Sequence, residues 1–581
     1  MSNHIQLTLI PESSFLLGGV TINPAYDSVT ALDENNLPYL TATAIKGALR
    51  IEFEAFVRGI GQETLCDFDA DIKGCKTCLS CRLFGGGNEE GKLRFNAAFI
   101  KDPDIVLPNA VRHDLLAKGK REGVSISRTL GKAKDKAYFT KLAFPNMNKI
   151  RKILFTTQIN IRWELDGTEK EYLDMFFKYL GEAGLFMGSR KSVGLGYFAI
   201  DCHMPETFTP TETVDTSRKE LKLYKITLET QEPLLVGNTK NKYIIDTLPY
   251  IPASTLGGTI GFRLGEHGIP KETLEAMFDV QNSFSTFNCY LKTPYPLPLS
   301  QRIEKGKPDP RKDILIPDYL IKLAIEQDKF AFVQTLFNAL YKKNLRPDKV
   351  CKKPNTFYNA KLAIGRELQK AGDGLLYSME LIPKGCQFQG FMIGETWAVE
   401  TLKKIGELCM GGKRTRGFGR TKISAIEEPT HTKWLKGNEE KSVDTLLKEM
   451  ATEYSISLPQ ERTFFTLDLL SDFVFPEKDY TGPRTFKGFL EEHLFNGLEV
   501  QVEKAFVEII QRGGYDFRKK HVKPMMEWIA AGSTFLVSVP QSHQDDFKKN
   551  IDNLVADSTQ YKWDSTLLFR LDAPEHITIW R

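Results

Sequence analysis

The 581-residue sequence has no long hydrophobic run and no strong excess of charge of either sign. No stretch reaches the roughly eighteen consecutive apolar residues that cross a membrane, and the first residues lack a basic segment followed by an apolar one. We therefore expect a cytoplasmic protein with no membrane partner. The formal net charge is only +4, from 78 basic and 74 acidic residues, so any surface for a polyanion must be a local concentration of positive charge.

Histidine is also scarce, with nine in the whole sequence. None lies between His4 and His113 or between His203 and His267. No serine or cysteine has a histidine at a spacing that supports a nucleophile and its general base. The scarcity also disfavours RNA cleavage that depends on an imidazole.

Four of the nine cysteines lie in one short segment, CDFDADIKGCKTCLSC, and the others are scattered singly. This distribution suits a reducing compartment and one metal site better than a disulfide framework. The segment contains two overlapping C-x-x-C steps and one cysteine upstream, namely Cys66, Cys75, Cys78 and Cys81. Four thiolates satisfy tetrahedral zinc and leave no position for a catalytic water, which predicts a structural zinc site. Redox-active or idle thiols are the alternative.

The sequence repeats itself. LPYLTATAIKGALRIEFE from Leu37 matches LPYIPASTLGGTIGFRLG from Leu248, and ISRTLGKAKDKAYFTKLAF around Arg128 matches IGRELQKAGDGLLYSMELI around Arg366. The glycine loops GSRKSVGLGYFAI and GGKRTRGFGRTKI close both copies. Matches in the same order indicate a duplicated domain.

Each copy reads as strand, helix, strands, helix, strand. The first strand alternates apolar residues, as in IQLTLI, and the first helix begins near Ala44 with Thr41 or Thr43 as its N-cap. This order predicts an α+β protein of tandem ferredoxin-like (RRM-like) domains. We place the domains at residues 1–210 and 216–430.

Residues 431–455 are polar and charged, which predicts a linker. Residues 456–581 are predicted to form a degenerate sheet-plus-helix unit. In it, RTFFTLDLL is predicted to be a strand, GLEVQVEKAFVEIIQR a helix, and WIAAGSTFLVSV a turn into a strand.

Positive charge is concentrated in two segments and in the glycine loops. KGKREGVSISRTLGKAKDK has seven basic residues against two acidic, and KKNLRPDKVCKK has six against one. The loops follow helices, so helix N-termini do not supply anion binding, and their basic side chains would have to do so. These candidate contacts to a nucleic-acid backbone are Arg190, Lys191, Lys413, Arg414, Arg416 and Arg420. Solvated charged loops and helix C-cap turns are the alternatives.

A longer acidic loop distinguishes the first copy. Between its first strand and first helix, GGVTINPAYDSVTALDENNLPYL contains Asp27 and Asp33, whereas the matching loop of the second copy is shorter. Such an aspartate is either a turn former or, beside RNA, a group that deprotonates a 2′-hydroxyl or holds a divalent ion.

LPYLTATAIKGALR, the cysteine cluster running into CRLFGGG, SISRTLGKAKDKAYF and GSRKSVGLGYF together resemble the RAMP proteins of CRISPR systems. Residues 1–210 resemble a Cas-seven-type subunit of a type III effector, and residues 216–581 resemble the Cas-five-type RAMP subunit of its III-D branch. The resemblance implies a guide crRNA, target RNA and other effector subunits, including the large polymerase-like subunit, as partners. It implies RNA contacts at Lys46 and Arg50. Arg128 and Arg366, equivalent across the repeat, are further candidate RNA contacts, and bracing of the fold is their alternative role.

The same resemblance implies that Asp27, with Asp33 as the second choice, cleaves target RNA with Mg²⁺ or another divalent cation. It implies that the Cas-five-like half holds the 5′ tag of the guide without cutting. A purely structural crRNA-binding and capping subunit is the alternative function. A guide-processing endoribonuclease is a third, which the missing histidines disfavour.

Overall fold

The computed structural model describes the chain with gaps. The described residues are 4–18, 28–33, 37–61, 65–66, 75, 77–86, 90–102, 119–127, 129, 132–146, 152–205, 220–240, 244–278, 284–304, 307–329, 333–334, 345–347, 354–364, 371–428, 442–473, 497–516, 521–556, 569–572 and 576. Within these ranges, no helix is both long and apolar enough to cross a membrane.

The N-terminal unit is built on a six-stranded antiparallel sheet. Its central strand, His4–Pro11, pairs with Phe155–Ile161 on one side and with Tyr197–His203 on the other. Three short strands extend the two edges: Leu93–Phe95, Phe99–Ile100 and Leu185–Phe186. This is the strand order of a ferredoxin-like fold, and it confirms the predicted α+β class.

Two helices complete the core of the N-terminal unit. Alternation along His4–Pro11 buries Ile5, Leu7 and Leu9 against them. The helix Ala42–Ile60 begins after Thr41, whose hydroxyl accepts a hydrogen bond from a backbone N–H of the first turn. The helix Gly167–Ala183 begins with a capping box formed by Asp166 and Glu169. Local capping signals therefore fix where both helices begin.

The middle unit repeats this arrangement. Its central strand, Leu221–Thr230, pairs with Gln387–Glu395 and Arg420–Glu427, both antiparallel. The edges carry Ser285–Thr286, Tyr290–Leu291 and Glu407–Cys409, and the helices are Ala253–Glu266, Lys271–Phe278 and Thr396–Ile405. The strand order is the same as in the N-terminal unit, so the predicted duplication is confirmed at the level of topology.

Each of these two units carries a long β-hairpin. In the N-terminal unit the hairpin pairs Lys120–Ile126 with Ala133–Leu142, and the short strand Ser28–Val29 runs parallel to the end of the latter. In the middle unit the hairpin pairs Phe357–Ile364 with Ala371–Leu381. The strands Gly237–Lys240 and Ile244–Thr247 join its edge, again through a parallel pairing. We call these the first and the second hairpin.

The C-terminal unit contains a third sheet. Its strands are Arg462–Leu469, Gln501–Phe506, Thr534–Pro540 and Phe569–Leu571, and the helix Gln544–Ala556 lies between the last two. The first and third strands are central, as in the other two sheets. The helix predicted over GLEVQVEKAFVEIIQR is wrong: this stretch forms Gln501–Phe506 and the start of Ile509–Asp516, which pairs with His521–Ile529. Backbone pairing with Thr534–Pro540 outweighs the local helical pattern.

A helical layer packs on this third sheet and corrects the predicted linker. Residues 431–455 include the helix Val443–Glu453, which shares a core with Leu315–Glu326. Phe464 and Leu536 from the sheet complete that core. A small three-stranded sheet flanks the helix Leu315–Glu326 in sequence. Its strands Gln301–Glu304 and Lys307–Asp313 precede this helix, and its strand Leu345–Pro347 follows it. A segment placed within 216–430 by sequence therefore packs with the C-terminal unit.

A buried histidine joins that segment to the third sheet. His576 has no exposed side-chain surface, and its Nδ1 lies 2.9 Å from Asp313 Oδ2. Its Nε2 lies 3.0 Å from Asp468 Oδ1 on the other side of the ring. Burial alone would lower the pKa of His576, but the two carboxylates outweigh it and raise the pKa well above its ordinary value. The charged ring thus connects residues more than 100 positions apart in sequence.

Candidate metal centre and nucleic-acid interface

The four clustered cysteines form a group that can hold a metal such as zinc. The Sγ atoms of Cys66, Cys75, Cys78 and Cys81 all lie within 4.8 Å of one another. Cys78 is the N-cap of the helix Leu79–Phe84, and Cys81 lies within it. Burial opposes ionisation of Cys75, but hydrogen bonds from Cys78 N–H and the Thr77 hydroxyl lower its pKa to about 6. Four thiolates fill a tetrahedral zinc shell, so the donor set fits a structural ion.

Arg50, predicted to contact RNA, lies behind this cysteine cluster. Its guanidinium is buried and donates from Nε to Glu54 at 2.8 Å. It also donates to the Gly85 carbonyl at 2.6 Å and lies 3.6 Å from Cys81 Sγ. These contacts hold the helix Leu79–Phe84 against Ala42–Ile60. The arrangement gives Arg50 a role in supporting the cluster.

The predicted catalytic loop leads to the base of the first hairpin. Asp27 lies outside the described residues, but the next residue, Ser28, pairs with Lys141 of the hairpin. Asp33 closes a turn, because its carboxylate accepts a hydrogen bond from Leu37 N–H at 2.8 Å. Asp33 therefore has a structural function in this loop.

The middle unit has no carboxylate at the position that corresponds to Asp27. Thr30 and Thr247 are both buried, and each hydroxyl donates to a carbonyl of the preceding apolar segment. Thr30 therefore corresponds to Thr247. Asp27 lies three residues before Thr30, and Ile244 lies three residues before Thr247, so Asp27 corresponds to Ile244. An acidic residue at this position is therefore a feature of the N-terminal unit.

Exposed hydrophobic side chains lie on both hairpins. Those of the first hairpin are Val124, Ile126 and Tyr138, and those of the second are Phe357 and Tyr358. Tyr138 is 62% exposed, and Lys120 and Arg121 of the same hairpin are also exposed. Arg128 and Arg366 belong to the connections of the two hairpins and lie outside the described residues. Exposed aromatic rings, on the first hairpin together with exposed cations, suit stacking with unpaired bases.

The two glycine loops, residues 188–196 and 411–419, have the same backbone conformation. Met187 N–H donates to the Gly196 carbonyl at 2.8 Å, and Met410 N–H donates to the Gly419 carbonyl at 2.9 Å. Arg190 and Lys413 both have φ of 61°, a left-handed conformation that is uncommon outside glycine. A Cβ at Gly196 or at Gly419 would overlap a carbonyl oxygen, so both positions require glycine. The equivalence predicted from sequence thus extends to individual residues.

The second glycine loop packs on the N-terminal unit. Arg414 pairs with both oxygens of Glu90, at 3.2 and 3.1 Å. Thr415 accepts a hydrogen bond from Lys46 Nζ at 3.1 Å. The backbone of Arg416 forms a parallel bridge with Phe95, and Gly417 lies so close to Ala42 that a Cβ there would overlap it. Arg414 and Lys46, both predicted to bind RNA, thus take part in a contact between two units of the chain.

Buried charges complete this junction between the units. Arg162 is almost fully buried between Glu90, at 2.8 Å, and Glu266, at 3.0 Å. Its guanidinium also lies over the rings of Trp163 and Phe262. Burial alone would raise the pKa of Glu266, but Arg263, Arg162 and Arg94 outweigh it and lower that pKa. Charged groups from both units are therefore paired here.

The other predicted basic contacts differ in exposure. Arg190 and Lys413 are exposed, and Lys191 is half-buried. Arg420 lies 3.7 Å from Glu232 and 3.8 Å from Glu407. Burial, then the neighbouring Arg416 and Arg50, lower the pKa of Lys46 to about 7. Lys46 therefore loses its proton more readily than an exposed lysine.

The acidic half of the junction has no recognisable pattern in the sequence. Glu90 lies 324 positions from Arg414 in the sequence, and nothing in its local context distinguishes it from a surface carboxylate. Gly194 and Gly417 occupy the same place in their loops and share a backbone conformation, and only the structure shows that Gly417 lies against Ala42.

Comparison with known proteins gives a family and a set of distant structural neighbours. The family model described as the RAMP superfamily matches residues 9–199 and 227–422, which together make up more than half of the chain. These two ranges coincide with the N-terminal and middle units. None of the curated proteins compared matches the chain.

The solved structures that match include chains of type III-B Cmr-beta complexes. One chain, from the apo state, is 15% identical, covers 36% of this chain and 98% of its own length, and has a TM-score of 0.22. Another, from the complex bound to cognate target RNA and AMPPnP, is 17% identical, covers 56% and 88%, and has a TM-score of 0.29. The family assignment therefore rests on the family model.

Proposed function

Because the chain belongs to the RAMP superfamily, we propose that it is an RNA-binding subunit of a type III CRISPR ribonucleoprotein effector. The observation that carries the proposal is the long hairpin in each of the two units, with exposed aromatic rings on both hairpins and exposed cations on the first. Stacking on such rings and phosphate contacts by lysine and arginine are independent of base sequence. This suits a protein that holds a guide crRNA while base pairing selects the target.

The two units have different roles in this proposal. The N-terminal unit holds the guide backbone beside the target RNA, and the remainder of the chain holds the 5′ tag of the guide. Arg128 and Arg366 contribute phosphate contacts at corresponding positions of the two hairpins. Other type III subunits, including the large polymerase-like subunit, are the protein partners, and the cysteine cluster holds a structural zinc ion.

The proposal includes cleavage of target RNA at Asp27. Support comes from position, since Ser28 is held at the base of the first hairpin, where bound RNA would pass. The Asp27 carboxylate would hold a divalent cation such as Mg²⁺ and help to deprotonate the attacking 2′-hydroxyl. Ile244 at the matching position makes the middle unit unable to do so. A non-catalytic guide-binding and capping subunit is the second candidate, because Asp33 serves as a turn residue.

RNA recovered with the full-length protein from its native host tests the binding proposal. We expect short RNAs that share one constant 5′ segment followed by a variable one, released progressively as the salt concentration rises. Tyr138→Ala should reduce the amount recovered, and Tyr179→Ala, an exposed tyrosine on Gly167–Ala183, is the matched control. RNA of random sequence, or none, would contradict the proposal.

Cleavage is tested in the assembled complex with labelled RNA complementary to the guide and with Mg²⁺. Asp27→Asn should remove one cleavage product while the complex retains its subunits and its guide. Asp33→Ser, which keeps a turn-forming side chain, is the control and should leave that product in place. Persistence of every product with Asp27→Asn would favour the non-catalytic function.

A further inference from the structure

A small cavity lies inside the junction between the N-terminal and middle units. Its lining is strongly basic, because four of the eight residues around it are arginines: Arg94, Arg162, Arg263 and Arg414. The first two belong to the N-terminal unit and the last two to the middle unit, so the cavity forms only where the two units are in contact. The other residues that line it are Thr259, Phe262, Glu266 and Cys409.

Arg94 is buried in this lining without a close partner among the described residues. The residue is only 6% exposed, and its buried Nε has no hydrogen-bond partner in the part of the chain that the structure describes. Its Nη2 lies 3.7 Å from Glu407 Oε1, which is longer than a hydrogen bond. A buried charge without a hydrogen-bonded partner is costly, and such an exception points to a ligand or an ordered water.

Two carboxylates of the junction are already engaged by the other three arginines. Both oxygens of Glu266 accept hydrogen bonds, from Arg162 at 3.0 Å and from Arg263 at 2.8 Å. Both oxygens of Glu90 accept hydrogen bonds from Arg414, and one of them also pairs with Arg162. Each carboxylate thus serves two of these three arginines, and neither is paired with the fourth.

Positive charge exceeds negative charge around the cavity. Its four arginines face three carboxylates, those of Glu90, Glu266 and Glu407. Glu407 is also shared with Arg420, whose further partner is Glu232, and this added pair leaves the excess unchanged. Among the described residues, one positive charge is therefore unbalanced.

The neutral groups of the lining do not supply the missing charge. Burial raises the pKa of the Cys409 thiol, so this thiol stays protonated. The Thr259 hydroxyl donates its proton to the Thr255 carbonyl at 2.7 Å. The donors that face the cavity are therefore those of the guanidinium groups.

We propose that this cavity binds one monatomic inorganic anion of the size of chloride, with the Arg94 guanidinium as its principal donor. The space admits about one sphere of the size of a water molecule, which is too little for a phosphate group or a nucleotide. A water molecule would satisfy Nε without offsetting the charge, whereas an anion does both. Because the arginines come from both units, the anion also stabilises the junction. The inference does not depend on the proposed RNA binding.

Anion-dependent hydrogen exchange in the full-length protein tests the proposal. Since the anion binds only while the two units are in contact, chloride should slow the exchange of residues 411–419 relative to gluconate at the same ionic strength. The slowing should be about tenfold once chloride reaches ten times its dissociation constant. Equal ionic strength holds the screening of the ion pairs constant. Equal exchange in the two salts, or slowing by sulfate and not by chloride, would overturn the proposal.

Substitution of Arg94 connects the chloride effect to this cavity. Arg94→Met removes the unbalanced charge and should abolish the difference between chloride and gluconate. Arg58→Met is the matched control, because Arg58 is exposed in the last turn of the helix Ala42–Ile60, and it should retain the difference. A chloride effect that persists in Arg94→Met would refute the inference.

Bromide gives a direct readout that requires no variant. Crystals of the full-length protein grown with bromide, measured at the bromine absorption edge, should show an anomalous peak beside the Arg94 guanidinium. The absence of a peak at this position would refute the inference even if Arg94→Met fails to fold.

Discussion

Replacement of His576 should strongly destabilise the C-terminal unit. His576 is fully buried and is hydrogen-bonded to Asp313 and Asp468, which are themselves 1% and 4% exposed. His576→Asn would leave two buried carboxylates without a positive charge. Removing one partner of a buried ion pair costs about 3–5 kcal/mol, so opening of the third sheet should become roughly 10²- to 10⁴-fold more frequent.

The pH dependence of this effect follows from the direction of the pKa shift. Because the folded-state pKa of His576 is raised, its stabilisation is fully present below about pH 6.5 and is lost as pH rises through the folded-state pKa. Desolvation raises the pKa of the nearby, half-buried Asp572 to about 7, so this carboxyl group also stabilises the folded state more at low pH than at high pH. The difference between wild type and His576→Asn should therefore be largest near pH 6 and decrease at higher pH.

Hydrogen exchange of peptides from Arg462–Leu469 and Thr534–Pro540, corrected for intrinsic rates, measures this opening in the full chain. His203→Asn is the control, because His203 is exposed and lies 3.6 Å from an exposed aspartate, an arrangement worth at most about 1 kcal/mol. A difference between wild type and His576→Asn that stays constant or grows with pH would refute the reasoning. So would equal effects of the two substitutions.

Two further predictions concern the metal centre and the junction. Cys78→Ser should abolish binding of one zinc equivalent per chain and expose the segment around Leu79–Phe84 to proteases. Cys202→Ser, the control, should do neither. Elemental analysis measures the zinc, and equal zinc in both variants would exclude the four-cysteine site. Glu90→Gln should weaken the junction by about 1–3 kcal/mol, because Arg414 and Arg162 both lose a charged acceptor. Faster hydrogen exchange in residues 411–419 would report the weakening, and Asp174→Asn, at an exposed ion pair, should leave that exchange unchanged.

Sequence patterns predicted the strands, helix caps and loops that depend on residues close together in the sequence. The alternation in IQLTLI, the cap at Thr41 and the glycine loops each depend on neighbouring residues, and each was found where the pattern placed it. The cysteine cluster was predictable for the same reason, since C-x-x-C spacing brings thiolates together within one turn.

What sequence patterns missed depends on contacts between distant segments. The stretch from Gln501 to Asp516 has a local helical pattern, but its strands are stabilised by pairing with Thr534–Pro540 and His521–Ile529. Val443–Glu453 looks polar in sequence because only one of its faces packs, against Leu315–Glu326. Arg414 of the second glycine loop suggested RNA because its partner, Glu90, belongs to another unit.

The junction also bears on what the covalent connection between the two units contributes. Glu90, Arg162 and Lys46 lie on one side of the interval from residue 205 to residue 220, and Glu266, Arg414 and Gly417 lie on the other. None of these contacts uses the intervening peptide. The described junction contacts therefore lie within the two units themselves, and any covalent connection raises the effective concentration of one half for the other. The junction contacts between the described residues would therefore also be available to two separate polypeptides divided in this interval.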